Sequence, residues 1–256
     1  MKSFIAYFDY LGFKEFIENN DLEFQHRIIG NNFSDMEYAL GKGKFKDAPH
    51  GVIADLSKSK INCINFSDTV IFWTNDETEQ SLIELLQVSN MFNLQSIDFC
   101  FPVRGSVVYG ELLYVSFKQS NGGGGLYNIN SVFGKGLVKA HLKANGQNWA
   151  GTVLDESFID ELKNRGYNLD EFLSPYAKKY KVPYKNGVDL PEEFVYNIIQ
   201  GTLNDEALKN YGNRIKDNFA AYNKSVDSAG VQEKIKNTLR FLESYYGRTT
   251  NMTTRN

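Results

Sequence analysis

Residues 4–17 read FIAYFDYLGFKEFI: an apolar run reaching Asp9, then Gly12, then a second apolar run with a different rhythm. Residues 2–8 alternate weakly and carry Phe, Ile and Tyr, which suit a pleated and buried surface, so the stretch predicts a strand. From Leu11 the spacing turns helical, with Phe13, Phe16 and Ile17 on one face until Asn19, Asn20 and Asp21 interrupt it. A buried strand gains nothing from a carboxylate at its end unless that group turns the chain or does chemistry, because an ion withdrawn from water needs a partner. Just ahead of a helix start, such a carboxylate lies beside unpaired backbone N–H groups and the positive end of a helix dipole. Asp9 is therefore a candidate for holding a cation and the phosphates that cation bridges. The plainer alternative is a helix cap.

A second acid stands in a similar frame. INCINF (61–66), then Ser67 and Asp68, then TVIFW (69–73) predict a hairpin with Asp68 at its tip. If strands 2–8 and 61–73 are neighbours, Asp9 and Asp68 converge at one sheet end. Two carboxylates there suit Mg2+ or Mn2+, hard ions that prefer oxygen and keep positions open for water or phosphate. On the alternative reading, Asp68 merely fills a turn.

Outward from these two segments, Leu22, Ile28, Ile29, Met36 and Leu40 mark a helix ending near Gly41 and Gly43, and residues 44–59 predict a loop. Residues 77–93 predict a core-facing helix with Leu82, Leu85, Leu86, Ser89 and Phe92 on its stripe. FPVRGSVVYGELLYVSF (101–117) and LYNINSVF (126–133) are rich in strand formers, and four glycines at 122–125 form the loop between them. GKGLVKAHLKANG, from Gly134, predicts a helix with Leu137, Ala140, His141 and Ala144 on one side and Gly146 as its end. The order of elements predicts an α+β fold, a ferredoxin-like split βαβ sandwich with helices on one face of a largely antiparallel sheet. After residue 150 come a helix near 155–165, extended runs around Val182 and Phe194–Ile199, and two further helices. The last of these carries Val231, Ile235, Leu239, Leu242 and Tyr246 and closes at Gly247. The expected division is 1–155 as one domain, 156–247 as a mixed, mainly helical extension packed on it, and 248–256 as a disordered tail.

Composition narrows the function. With 256 residues and 42% hydrophobic content the chain can build a sizeable core. A net charge of −3 argues against binding nucleic acid over a broad basic surface. No apolar run approaches the roughly 20 residues a bilayer needs, so no membrane partner is expected. The opening MKSFIAYF has a lysine and an apolar run like a signal peptide, but Asp9 interrupts it and no small-residue cleavage site follows, so it reads as a buried strand. Cys63 and Cys100 form no CxxC and no disulfide framework, which suggests a reducing, cytoplasmic setting. His26, His50 and His141 are scattered without zinc or triad spacing and are expected at surface or boundary positions.

FIAYFDYLGF resembles the first metal-binding motif of the class III nucleotidyl cyclases, and NFSDTVIFW resembles the second. VRGSVVYGELLY looks like the strand and turn that follow, and SVFGKGLVKAHLKA like the glycine-then-helix segment. The similarity covers roughly residues 2–155. Within the family, the FDYLGF and FSDT wording looks most like the bacterial Pycsar-type uridylate and cytidylate cyclases of anti-phage defence. The resemblance implies catalysis by two Mg2+ or Mn2+ ions held by Asp9, the Tyr10 carbonyl and Asp68, with backbone N–H groups of Leu11, Gly12 and Phe13 cradling a nucleoside triphosphate. Gly12 would then allow close approach of backbone to phosphate. The two base-reading positions fall on Ile64 and Ser131, which offer no purine-edge reader and so favour a pyrimidine. The family's Asn and Arg of the helix fall on Val138 and Leu142, while Lys139 and Lys143 share their spacing one residue on, as substitutes or as a solvated face. Arg104 is a phosphate partner or a surface strand charge, and a lysine of KKYKVPYK (178–185) could bind phosphate. The resemblance also implies a homodimer with sites between subunits, and a product, cyclic UMP or cyclic CMP, read by a separate effector. The alternatives are an adenylate or guanylate cyclase, or a cyclase-like nucleotide-binding or regulatory module without turnover.

Overall fold

In the computed structural model, which describes residues 2–99 and 101–247, the opening stretch forms β1 (Lys2–Tyr10) and α1 (Phe13–Glu18). Cys100 and the tail 248–256 lie outside the described residues. Next come α2 (Leu22–Leu40), β2 (Phe45–Ala48), β3 (Gly51–Ala54), β4 (Ile61–Phe66), β5 (Thr69–Thr74) and α3 (Glu79–Phe99). They are followed by β6 (Val103–Glu111), β7 (Leu113–Ser120), β8 (Leu126–Phe133), α4 (Lys135–Gly146) and β9 (Gly151–Leu154). The chain ends in α5 (Glu156–Asn164), α6 (Leu169–Leu173), β10 (Ala177–Tyr180), β11 (Glu193–Tyr196), α7 (Asp205–Ala220) and α8 (Ala229–Glu243). Three helices, α2, α5 and α7, start at capping side chains: Asp21 accepts the Phe24 N–H at 2.8 Å, Asp155 the Ser157 N–H at 2.9 Å and Asn204 the Ala207 N–H at 2.8 Å.

One seven-stranded sheet runs in the order β10-β11-β9-β6-β1-β5-β4. Its neighbours are antiparallel except β6 and β9. β1 lies inside it, and both faces of β1 are covered. Phe4, Ala6, Phe8 and Tyr10 enter a cluster with Phe72, Leu82, Leu86 and Phe92 beneath α3. Ile5 and Tyr7 enter another with Ile71, Trp73, Val108, Ala140 and Ala144 beneath α4. The helices thus occupy both faces of the sheet, where one was expected. The second face is available to α4 because glycines remove the bulk between helix and strand: a Cβ on Gly136 would stand 2.7 Å from Ile5 Cδ1 and 2.9 Å from the Gly110 carbonyl carbon.

Three further segments differ from expectation. Residues 44–59 contain the hairpin β2–β3, whose Phe45, Val52 and Ile53 stand exposed, so no buried face marks it in the sequence. The run around Val182 is not a strand, and β10 precedes it. α8 stops at Glu243, and Tyr246 instead bridges to Leu203. Within 156–247, β11 pairs with β9 through Val195 and Val153 and extends the sheet, while Phe219, Phe241 and Leu242 of α7 and α8 bury themselves against Trp149 and Val195. No described helix is long and apolar enough to cross a membrane.

Because the α4 contact leaves no room for a methyl group, Gly136→Ala is expected to destabilise the protein by about 1–3 kcal/mol, the usual range for overpacking. Urea denaturation measures it. An unchanged midpoint would show that this close approach does not hold α4.

Candidate active site

β1 continues two residues beyond the expected 2–8, so Asp9 lies inside the ladder, opposite Thr69 of β5 and Arg104 of β6. The β4–β5 connection is the pair Ser67 and Asp68, with Phe66 facing Thr69 and Ser67 at φ 56°. The Tyr10 N–H donates to the Asp68 carbonyl at 2.9 Å, which fixes the hairpin tip to β1 one residue past Asp9. Asp9 and Asp68 consequently line one cavity of about 360 Å³ together with Tyr10, Leu11, Gly12 and Phe13.

Asp9 points to the α4 side of the sheet. Burial pushes its carboxyl above the usual range and the Asp68 charge acts in the same direction, while the Arg104 guanidinium opposes them. Arg104 Nε donates to Asp9 Oδ2 at 2.7 Å, and both side chains are only 15% exposed, so Arg104 is not a surface strand charge. Its NH1 donates to the Asn145 carbonyl at 3.4 Å, tying the pair to the end of α4. On the same face the Tyr7 hydroxyl stands 3.0 Å from His141 Nδ1 and 3.4 Å from Thr69 Oγ1, a bridge between α4 and the sheet.

Other expected residues fare differently. The Leu11 N–H donates to the Pro102 carbonyl at 2.9 Å, so the expected phosphate cradle lacks that donor. Gly12 adopts φ +79°, and a Cβ there would meet Lys224 Cδ at 2.8 Å; the space its missing side chain leaves is filled by a lysine stem. The Phe13 ring stacks on Tyr10 at a centroid distance of 6.4 Å. Ile64 and Ser131 do not line the Asp9 cavity but meet each other in a second one of about 620 Å³, with Phe66, Tyr114 and Asn130. Lys139 and Lys143 lie outside both, paired with Asp155 at 3.7 Å and Glu193 at 2.5 Å. Val138 and Leu142 are 58% and 62% exposed. Of the lysines in 178–185, Lys178 bonds to Ser244, Lys179 pairs with Asp170 and Lys181 with Asp189, and Lys185 alone lines the Asp9 cavity. Lys224 and Lys234 line it too, and nothing in their local sequence singles them out.

Among the described residues no group of three or more His, Cys, Asp or Glu forms a metal cage. Two carboxylates facing one cavity nonetheless fit a hard divalent ion whose remaining ligands are water and phosphate oxygens. That ion has to compete with Arg104 for Asp9.

No family model and no curated protein matches the sequence. Solved structures do. The catalytic core of a rhodopsin-guanylyl cyclase with converted specificity, in complex with ATPαS, matches with a TM-score of 0.51 and 7% identity over 77% of this chain and 95% of that one. The guanylate cyclase domain of RhGC from Catenaria anguillulae, in complex with GTP, gives 0.49 and 7% over 76% and 94%. The adenylyl cyclase CyaB from P. aeruginosa gives 0.46 and 12% over 76% and 92%. At such identities the likeness is one of fold: the mixed α+β architecture, with its mostly antiparallel central sheet flanked by helices, is the class III cyclase fold.

Proposed function

We propose that the chain is a nucleotidyl cyclase, converting a nucleoside triphosphate into the 3',5'-cyclic nucleotide and pyrophosphate. The observation that carries this reading is the meeting of Asp9 and Asp68 on one cavity edged by cations, in a cyclase-type fold. Asp9 and Asp68 would hold Mg2+ or Mn2+, which lowers the pKa of the ribose 3'-hydroxyl and stabilises the charge of departing pyrophosphate. The chain's own part is positional. The β1–β5 ladder and the Tyr10–Asp68 bond set the spacing of the two carboxylates. Arg104 favours the charged form of Asp9 against the pull of burial. In the reaction the 3'-oxygen bonds to the α-phosphorus as its proton leaves, and the bond from the α-phosphorus to the bridging oxygen breaks.

The base is a pyrimidine on this reading, because the two positions at which the resembled family reads the base are Ile64 and Ser131, which share one cavity and offer an apolar group and a small hydroxyl. ATP or GTP is the alternative. The Ile64 cavity shares no lining residue with the Asp9 cavity. A homodimer that sets the cavity of one copy against that of the other would let one nucleotide span both. Val138 and Leu142 on α4, Phe66 on β4 and Phe117 on β7 are exposed apolar side chains available to a second copy. In the cell the product would act as an alarm signal in phage defence, read by a separate effector, a role supported by the FDYLGF and FSDT wording. A module without turnover is the rival reading. It draws on Arg104 already occupying Asp9 and on apolar residues where the family carries Asn and Arg.

Incubation with each of the four triphosphates and Mn2+ is expected to give a cyclic product from UTP or CTP; product from a purine alone overturns the base assignment, and no product from any supports the module. Asp68→Ala is expected to lower turnover by about 100-fold or more while changing stability by less than about 1 kcal/mol, since only its backbone braces the hairpin. Full activity in that variant sinks the two-carboxylate account. Arg104→Met is expected to tighten Mn2+ binding severalfold by removing a competing cation, as read by calorimetry without nucleotide. Weaker binding would show that Arg104 organises Asp9 for the ion instead. Leu142→Glu is expected to shift the protein from dimer to monomer in sedimentation, and a dimer that survives it places the interface elsewhere.

A further inference from the structure

Five cationic side chains against three carboxylates line the Asp9 cavity, in a chain whose net charge is −3. Positive charge has been concentrated here. Arg104 is matched by Asp9, and Glu15 accepts the Ser225 N–H at 2.8 Å, so the carboxylates are partly committed elsewhere. Three of the lysines come from the segment after residue 180: Lys185 between β10 and β11, Lys224 in the α7–α8 connection and Lys234 on α8.

Lys185 and Lys234 donate to neutral groups. Lys185 Nζ donates to Asn145 Oδ1 at 3.1 Å and Lys234 Nζ to the Gly230 carbonyl of its own helix at 3.2 Å; among the described residues neither has a carboxylate within ion-pair distance. Lys224 is 5% exposed, bonds to the Asn218 carbonyl at 3.0 Å and lies 4.3 Å from the Phe101 ring centroid, with its stem against Gly12. Burial holds the ammonium groups of Lys185 and Lys234 below their usual range. Arg104 lowers both further, and Lys234 also lowers Lys185. Like charges held together at this cost recover free energy when a polyanion enters between them.

The geometry points to a polyphosphate clamp formed by Lys185 and Lys234 of the C-terminal segment, with the Lys224 stem packed beside them against Gly12, holding the β- and γ-phosphates of a nucleoside triphosphate against the Asp9 and Asp68 side of the same subunit. The inference rests on the cyclase reading for its choice of nucleotide. The clamp itself is tested without one. The C-terminal segment is then part of the site: α8 and the β10–β11 connection each supply a cation, and the α7–α8 connection lays a lysine stem across the backbone at Gly12.

The experiment is calorimetric titration of the full chain with inorganic tripolyphosphate in the absence of divalent ions. The native chain is expected to bind it, and Lys185→Met and Lys234→Met each to weaken binding roughly tenfold, the scale of one charge-assisted contact. Methionine keeps an apolar stem, and circular dichroism melts confirm that each variant folds. Lys234→Arg is expected to restore most of the affinity. Lys236→Met, on an exposed part of α8, is expected to leave it unchanged. No binding by the native chain, equal binding by the Lys185 and Lys234 variants, or an equal loss in Lys236→Met overturns the clamp. The two readings separate cleanly. A chain that clamps tripolyphosphate through these lysines but forms no cyclic nucleotide upholds the clamp and sinks the cyclase; one that forms product with KM unchanged in both lysine variants does the reverse.

Discussion

The structure depends on keeping one carboxylate charged at the margin of a hydrophobic core. Asp9 is the eighth residue of a strand whose side chains from Ser3 to Phe8 are buried on both faces, and leaving water raises the free energy of its anion. Arg104, directly across the ladder on β6, supplies the opposing charge at hydrogen-bond distance. A pair this sheltered contributes little net stability, because desolvation offsets most of the Coulomb attraction, yet removing either partner strands the other. Its value is positional: β1, β5, β6 and the end of α4 all meet at Asp9. A cation entering the cavity meets an acid already oriented by its neighbours.

The glycine next to that acid serves a different contact from the one its spacing suggests. Gly12 lacks a side chain where a turn with positive φ is required, and the vacated space is filled by Lys224, some two hundred residues away in the chain. Close approach at Gly12 is therefore between backbone and a lysine stem. That contact joins the α7–α8 connection to the start of α1, beside Asp9.

What could be read in advance follows from how local the interactions are. The strand before Asp9, the hairpin around Asp68 and the helix from Gly134 are each written in a periodicity of a few residues, and each is present. Their convergence followed once β1 and β5 were taken as neighbours. The face chosen by α4 was not legible, since it turns on glycines at 110 and 136 meeting across space. Nor was the β2–β3 hairpin, whose apolar side chains never enter the core. Lys224 and Lys234 look like any lysines on a solvated face, because a cation near a distant carboxylate leaves no mark on its own neighbours in sequence. Arg104 admitted two readings until register placed it against Asp9.

The two cavities make a further geometric point. One is built at the β1–β5 end with the C-terminal lysines; the other lies between β4 and β8, and they have no residue in common. If each takes one end of a nucleotide, a single copy leaves both half-used. A two-fold axis resolves this, because an isologous pairing that brings the first cavity of one copy to the second cavity of its mate does the same for the reciprocal pair, producing two equivalent sites from one contact. The apolar side chains at Val138, Leu142, Phe66 and Phe117 then serve a purpose that an isolated chain has no use for. On that arrangement Lys139 and Lys143 keep their ion pairs with Asp155 and Glu193 inside one subunit, and charge for the phosphates comes from the same subunit as the carboxylates. Substituting apolar residues on α4 therefore need not abolish chemistry, provided the cationic role has moved to α8.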